Sequence, residues 1–520
     1  MPCISSGMVV VGFFPGLAAS GLGLGPTLHG RIPYAAWFPP GSDLADITCP
    51  VWSGMHKDSD HAIALRWQAC FSRSMDVKPA QAAEFCVLCC AFTCFADAPL
   101  EGVSRAEVQK AYDAIFSLPF FAALPEAKLF PAVKRWALES MDTPPDVSPL
   151  ALGAQRELSA RQCRGLLANA MLGNLQDLMS DSKRHQGGLD FWRHVRTASL
   201  EAPGCGVAAH KQASLLLYFA EAMREDGGED ERVVCFHRLK CPDVAEIQMM
   251  LSTNAEPVMK AEAEGAAQVQ LHEAAMEDAI HLDRTCRAFV NFANAEFGYG
   301  CFISSATQEE ILQMCCPEFN VGLLFLGRMA DNEVVNVHGC RRYTSYSGYL
   351  DTYRCTGLLQ ASSHQEAPVI HDILTIDACM HRHFEEQEQL RDIRKAFTAF
   401  QAYSTMRGRE ADGQVPAIAT GRWGCGAFGG LPAHKFVQQV LAGRLADVRL
   451  CFSTFGEPAG CDRMLDLLQQ EPRVSVMRTW DVLRRQKRGG FEDTFRAGLA
   501  AGSLRAGAGY EIPEEVDLDV

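Results

Sequence analysis

The chain reads as an α/β protein in which a helical region precedes an alternating strand and helix domain. Three observations carry this reading. From about residue 77 to 225 apolar positions recur every three or four residues, as in Leu216, Phe219 and Met223, with Gly and Pro between segments. After the Gly227-Gly228 break the texture changes to short β-branched and aromatic runs at 233–237, 288–292, 332–339, 367–377, 416–420 and 448–455. Helical stretches at 308–316, 378–404 and 432–445 lie between these runs, the pattern of an α/β domain whose ligands sit in loops at strand ends.

The 520 residues carry 48 Lys and Arg against 63 Asp and Glu, a net charge of -15, and 48% are hydrophobic. That composition is globular. Its acidity argues against a broad lysine-rich surface for polyanions and gives no reason to expect direct DNA binding, so an anionic ligand must be held locally. The 21 cysteines lack the spacing of a secreted disulfide framework, which favours a reducing compartment. Cys86, Cys89, Cys90 and Cys94 sit among Phe, Val, Leu and Ala with no second CxxC or His pair at zinc spacing, so a buried helix face is expected there. Residues 1 to 30 are uncharged but broken by glycine and proline, and no uninterrupted apolar stretch reaches the roughly 18 residues of a membrane helix. The organisation expected is an irregular arm at 1–76, a helical domain at 77–205, the α/β domain at 206–460 and a tail at 461–520. That tail contains Arg484, Arg485, Lys487 and Arg488 and ends acidic; such a run is usually a solvated face, with nuclear import as its other reading.

Two glycine-rich loops are the places for chemistry. The first, Phe297-Gly298-Tyr299-Gly300, leads through Thr307 into Gln308-Glu309-Glu310 and an apolar helix. A glycine loop feeding a helix N-terminus offers backbone N–H groups and a positive dipole end to an anion. The plain reading of Thr307 to Glu310 is a capping box with no other duty. The second loop, Thr420 to Gly430, contains GxGxxG at Gly424, Gly426 and Gly429. A dinucleotide-binding fingerprint opens its domain and has an acidic residue about 20 positions on, a context missing here, whereas phosphate cradling by backbone amides survives either way. Tyr343, Tyr346, Tyr349 and Tyr353, with Phe452 and Phe455, are open to two readings, core packing or stacking on a ligand base. His381 and His383, two apart, splay on a helix and are not expected to ligate a metal.

Taken in order, these elements resemble the poly(ADP-ribose) glycohydrolase family. Its signature is a glycine triplet, a spacer of six to eight residues and Gln-Glu-Glu, matched by Gly298-Tyr299-Gly300, seven residues and Gln308-Glu309-Glu310. NFAN at 291–294, YTSYSGYLDTYR at 343–354, IDA at 376–378, ATGRWGCGAFGG at 419–430 and STFG at 453–456 are similar to the family's neighbouring text, and 158–174 to its helical accessory domain. The resemblance covers roughly residues 110 to 460.

It implies a macrodomain-like mixed sheet sandwiched by helices, preceded by an all-α accessory domain, that hydrolyses ribose-ribose O-glycosidic bonds of poly(ADP-ribose) without metal or other cofactor. By resemblance Glu310 is the acid/base residue, Glu309 holds ribose hydroxyls and Asn294 orients the pair. Asn291, Gly298, Tyr299, Gly300 and Gln308 fall in the substrate-binding text, as do Arg422, Gly424, Cys425, Gly426, Ala427, Phe428 and Gly429. Tyr349 would lie over the diphosphate, Phe428 beside the distal ribose and Phe455 against adenine, with Glu277 the match to an adenine-binding acidic residue. The implied partners are poly(ADP-ribose) and ADP-ribosylated proteins, and the implied location is nuclear or cytoplasmic. Three positions depart from the pattern: Tyr299 replaces the middle glycine, Asn291 an aspartate and Arg422 an asparagine. The alternative is therefore a degenerate module that binds ADP-ribose without turnover.

Overall fold

A computed structural model describes residues 115, 117–121, 126–142, 145–171, 175, 189, 206–224, 230–253, 269–301, 305–359, 369–410, 413–469 and 474–506. The N-terminal arm, the Cys86 to Cys94 cluster and the acidic end of the tail lie outside these residues. In chain order the elements are α1 (Glu126–Asp142), β1 (Gln155–Ser159), α2 (Ala160–Met171), α3 (Val207–Arg224), β2 (Val233–Lys240), α4 (Val244–Ser252), β3 (Val269–His272) and β4 (Cys286–Ala293). They continue with α5 (Gln308–Cys315), β5 (Glu333–Arg341), β6 (Thr344–Ser347), β7 (Arg354–Leu358), β8 (Ile370–Asp377), α6 (Glu386–Arg407), β9 (Ala417–Thr420) and α7 (Pro432–Ala446). β10 (Arg449–Ser453), α8 (Cys461–Gln469), α9 (Val476–Leu483) and α10 (Phe491–Ala506) follow.

These elements form two compact units. Of the described residues, the first unit takes those up to 238, 293–328 and 337–372; the second takes 239–292, 329–336 and those from 373 on.

In the first unit, α3 is buried almost all round, from Val207 to Ala220, the signature of a helix at the centre of its neighbours rather than on a surface. α1 packs on α2, and β6 pairs with β7 as an antiparallel hairpin. That hairpin carries the tyrosine string: Tyr343 and Tyr353 are buried, and Tyr346 and Tyr349 are half-buried. β1 corrects the helical expectation for this stretch. Its five residues pair antiparallel with β2, Glu157 opposite Cys235, because a partner strand from a distant segment overrides local propensity. A buried ion network closes the unit: Arg232 donates to Glu318 (2.8 and 2.9 Å), which also accepts from the Tyr343 hydroxyl (2.9 Å) and the Arg341 amide (3.1 Å).

In the second unit the strand order is β5-β8-β4-β9-β10-β3. β4, β9, β10 and β3 are parallel neighbours, with Phe289 opposite Ala419, Thr420 opposite Phe452 and Ser453 opposite His272. All four carboxyl ends therefore open on one edge, where an α/β sheet holds its ligands. α6 and α7 pack on each other, α7 opening with Pro432 at its first turn and ending at Asp447 in the left-handed region. α6 begins at Glu386, eight residues later than the apolar pattern predicts, because Arg382 (φ +57°) turns the chain and Cys379 and His383 are drawn into a polar cluster.

Arg232→Met should lower stability by about 3 to 5 kcal/mol, because it strands Glu318 as an unanswered buried charge. Adding Glu318→Gln should restore part of the loss, as read by denaturant unfolding. If the double variant is the less stable of the two, the network is not held by charge.

Candidate active site

In the first unit, Thr307 takes an extended conformation at the N-cap of α5 and puts Glu309 and Glu310 in the first turn. Both glutamates are buried. The Glu310 carboxylate accepts the Thr307 amide (2.6 Å) and, through the same oxygen, the Thr307 hydroxyl. The capping box thus exists, and it leaves Oε1 of Glu310 for another task. That atom lies 2.1 Å from where a Cβ on Gly300 would stand, so residue 300 must be glycine for contact as well as for its φ of +83°.

Glu309 accepts the Asn294 amide (2.9 Å), and the Asn294 side-chain oxygen in turn accepts the Glu296 amide (3.0 Å). Gly298 (φ +70°) and Gly300 carry the left-handed torsions of their loop, whereas Tyr299 does not, and its ring is 41% exposed. Gln308 opens α5, half-buried. Tyr349 is fixed nearby, since Leu350 and Ala306 exchange backbone hydrogen bonds (2.7 and 3.2 Å) beside Thr307. Burial and then the charge of Glu310 push the Tyr349 hydroxyl above its ordinary pKa.

Sequence reasoning missed the cation beneath this loop. Lys211 of α3, fully buried, donates to the carbonyls of Gly300 (3.3 Å) and Cys301 (3.0 Å). The signal was the polar trio His210-Lys211-Gln212 inside an otherwise apolar helix.

In the second unit the predicted residues gather at the shared carboxyl edge of the four parallel strands. Asn291, buried, is near the end of β4; the 421–430 loop leaves β9; Phe455 follows β10; and Glu277, half-buried, lies in the 3-10 turn Met276–His281 after β3. The β10 and β3 exits are tied together by Ser453 donating to the Ala274 carbonyl (2.7 Å) and the Thr454 amide to His272 (2.8 Å). Phe455 is 57% exposed with φ +50°, a strained conformation for an aromatic residue that the surrounding turn must hold in place.

The glycine loop is anchored at its start by buried Trp423, whose ring N–H donates to the Ile376 carbonyl (3.0 Å). Gly424 (φ +71°) packs so closely that a Cβ would stand 2.6 Å from that of Ala378. Cys425 and Phe428 are half-buried, Gly426 and Ala427 exposed, and the Gly429 amide closes a turn on the Gly426 carbonyl (3.0 Å). Arg422 reaches across to the Glu457 carbonyl.

Behind the loop lies a buried cluster. Lys435 of α7 pairs with Asp392 of α6; Cys379 Sγ is 3.1 Å from Asp392 and 3.0 Å from His383 Nδ1; His383 Nε2 meets the Phe428 carbonyl at 2.7 Å. A carbonyl only accepts, so Nε2 bears the proton and Nδ1 faces the thiol as an acceptor. Burial pushes Asp392 up, but Lys435 and Arg391 outweigh it and hold the carboxyl below its ordinary range; burial and Asp392 push the Cys379 thiol up to about 12. Cys379, His383 and Asp392 stand close enough to surround a metal ion, yet two cations already answer the carboxylate, which makes the cluster an ion-pair core under the loop. His381 is exposed and apart from it.

Residues 259–462 match the family model of the poly(ADP-ribose) glycohydrolase catalytic domain, macro domain fold. Among curated proteins, poly(ADP-ribose) glycohydrolase 1 of Caenorhabditis elegans is 32% identical over 197 residues, covering 35% of this chain and 25% of its own length. Poly(ADP-ribose) glycohydrolase 2 of the same organism is 30% identical over 200 residues, covering 35% of this chain and 40% of its own length. The chain thus spans between a quarter and less than half of these relatives. Among solved structures, the poly(ADP-ribose) glycohydrolase of Thermomonospora curvata bound to the inhibitor ADP-HPD is 18% identical, with a TM-score of 0.29, covering 44% of this chain and 83% of that one. That of Deinococcus radiodurans in complex with ADP-ribose is 16% identical, with a TM-score of 0.31, covering 44% and 94%. The matched segment contains both glycine loops and the glutamate pair, so the part of the chain that carries the candidate site is similar to the poly(ADP-ribose) glycohydrolase catalytic domain.

Proposed function

We propose that this chain hydrolyses the ribose-ribose O-glycosidic bonds of poly(ADP-ribose), releasing ADP-ribose, with Glu310 as the acid/base residue. The observation that carries this reading is the division of labour on Glu310: one oxygen is spent on the cap and the other is held against the bare Cα of Gly300. A carboxyl fixed in this way donates its proton to the leaving ribose oxygen and takes one back from the attacking water. Glu309, oriented by the Asn294 amide, holds ribose hydroxyls. The backbone amides of the 424–430 loop hold the diphosphate, with no cluster of exposed lysines required. Phe455 stacks on adenine, with Glu277 on the neighbouring strand exit. The substrate confines the protein to places where ADP-ribosylated partners occur, in the nucleus or cytoplasm.

Glu310→Gln should cost at least about 10²-fold in ADP-ribose release from polymer while leaving ADP-ribose affinity within a few-fold. Glutamine also closes a capping box, so the melting temperature should scarcely move. A variant that keeps more than a tenth of wild-type turnover would reduce Glu310 to a cap.

Tyr299→Gly should change turnover by less than about 10-fold, under about 1.4 kcal/mol of barrier, because the flanking glycines carry the unusual torsions. An inert wild type that Tyr299→Gly brings to life would instead mark this chain as a module that binds ADP-ribose without cutting polymer.

Phe455→Ala should weaken ADP-ribose binding by roughly 1 to 3 kcal/mol and leave ribose 5-phosphate binding unchanged in calorimetry. Equal loss for both ligands would show that the ring supports the turn rather than adenine.

A further inference from the structure

The basic run at the end of α9 has a definite place in the second unit. Arg488 donates through Nη1 to the carbonyl of Gly429 (3.1 Å), inside the glycine loop. Its charge is also felt by His383, whose pKa is lowered by burial first, then by Lys435, and by Arg488 as well, and His383 is the residue bonded to Phe428 of the same loop. Arg484 and Arg485 share Asp481 (2.9 and 2.5 Å), and Arg484 also approaches Glu386 (3.7 Å). Lys487 and Arg488 are exposed, and among the described residues no carboxylate lies within ion-pair distance of either. An acidic protein thus keeps two unanswered cations at the rim of the loop that its family signature assigns to a diphosphate.

We infer that the 485–488 segment is a second polyanion subsite, which takes the diphosphate of an adjacent ADP-ribose unit while the glycine loop holds the first. The inference rests on the proposed reading of that loop. Its charge logic is that of any polyphosphate chain: each cation in contact with a phosphate releases a condensed counterion, so the benefit grows at low salt and exists only for a ligand long enough to reach. Free ADP-ribose, with one diphosphate, fills the loop and gains nothing from Lys487. Long polymer gains from both.

The test is a binding titration of the full chain with long poly(ADP-ribose) and with free ADP-ribose at several salt concentrations. The wild type is compared with Arg485→Ala/Lys487→Glu, which leaves the bond from Arg488 to Gly429 intact, and with Arg488→Ala. The double variant should bind long polymer about fivefold more weakly at low salt, with a slope of log affinity against log salt shallower by about 0.7 per cation removed. Its ADP-ribose affinity and melting temperature should match wild type. Unchanged polymer affinity in both variants overturns the subsite, and so does an equal loss for polymer and monomer in the double variant, which would mean a distorted loop. A wild type that binds polymer but not ADP-ribose overturns the reading of the loop itself and shows a different pattern from either.

Discussion

The pair formed by Lys435 and Asp392 is the constraint around which the second unit is arranged. Both side chains are fully buried, and each alone would be a charge in a poor solvent. Their union ties α6 to α7, and the same carboxylate takes the Cys379 amide at the exit of β8 and the Arg391 guanidinium. Lys435 in turn lies under the loop, 5.3 Å from the centre of the Trp423 ring, with its stem against Gly430. A loop that offers only backbone amides has no side chain of its own to hold its shape. Its geometry is borrowed from the ionic cluster beneath.

The first unit solves the same problem with Lys211. One buried ammonium grips two successive carbonyls, Gly300 and Cys301, and so holds these two C=O groups of the glycine loop turned inward. In both units a fully buried lysine supplies positive charge from behind the backbone of a glycine loop. Such an arrangement is compatible with a net charge of -15 and with the anionic ligand proposed above.

Much of this was legible in the sequence because it is local. The runs at 233–237, 288–292, 416–420 and 448–455 became β2, β4, β9 and β10, since short β-branched and aromatic segments bounded by breakers have few other fates. Thr307 to Glu310 could be read as a cap or as chemistry, and the geometry shows that the cap uses one carboxylate oxygen of Glu310 and leaves the other beside Gly300. What could not be read is non-local. Lys211 finds its carbonyls 89 and 90 residues away, and Asp392 its lysine 43 away, and although a lysine inside an apolar helix stands out, no window of sequence names the partner it will meet. β1 was missed for the same reason, because a strand of mixed polarity is made by its partner. So was the late start of α6, set by a polar cluster rather than by periodicity.

The torsions of the first loop carry a consequence for recognition by motif. Gly298 and Gly300 alone sit where a side chain is penalised, while the position between them is free in backbone and turned outward. A side chain at 299 is therefore admitted without backbone strain as long as its two neighbours are kept. A motif that demands three glycines therefore asks for one more than the backbone torsions of this loop require, and a search built on that letter passes over chains that keep only the outer two.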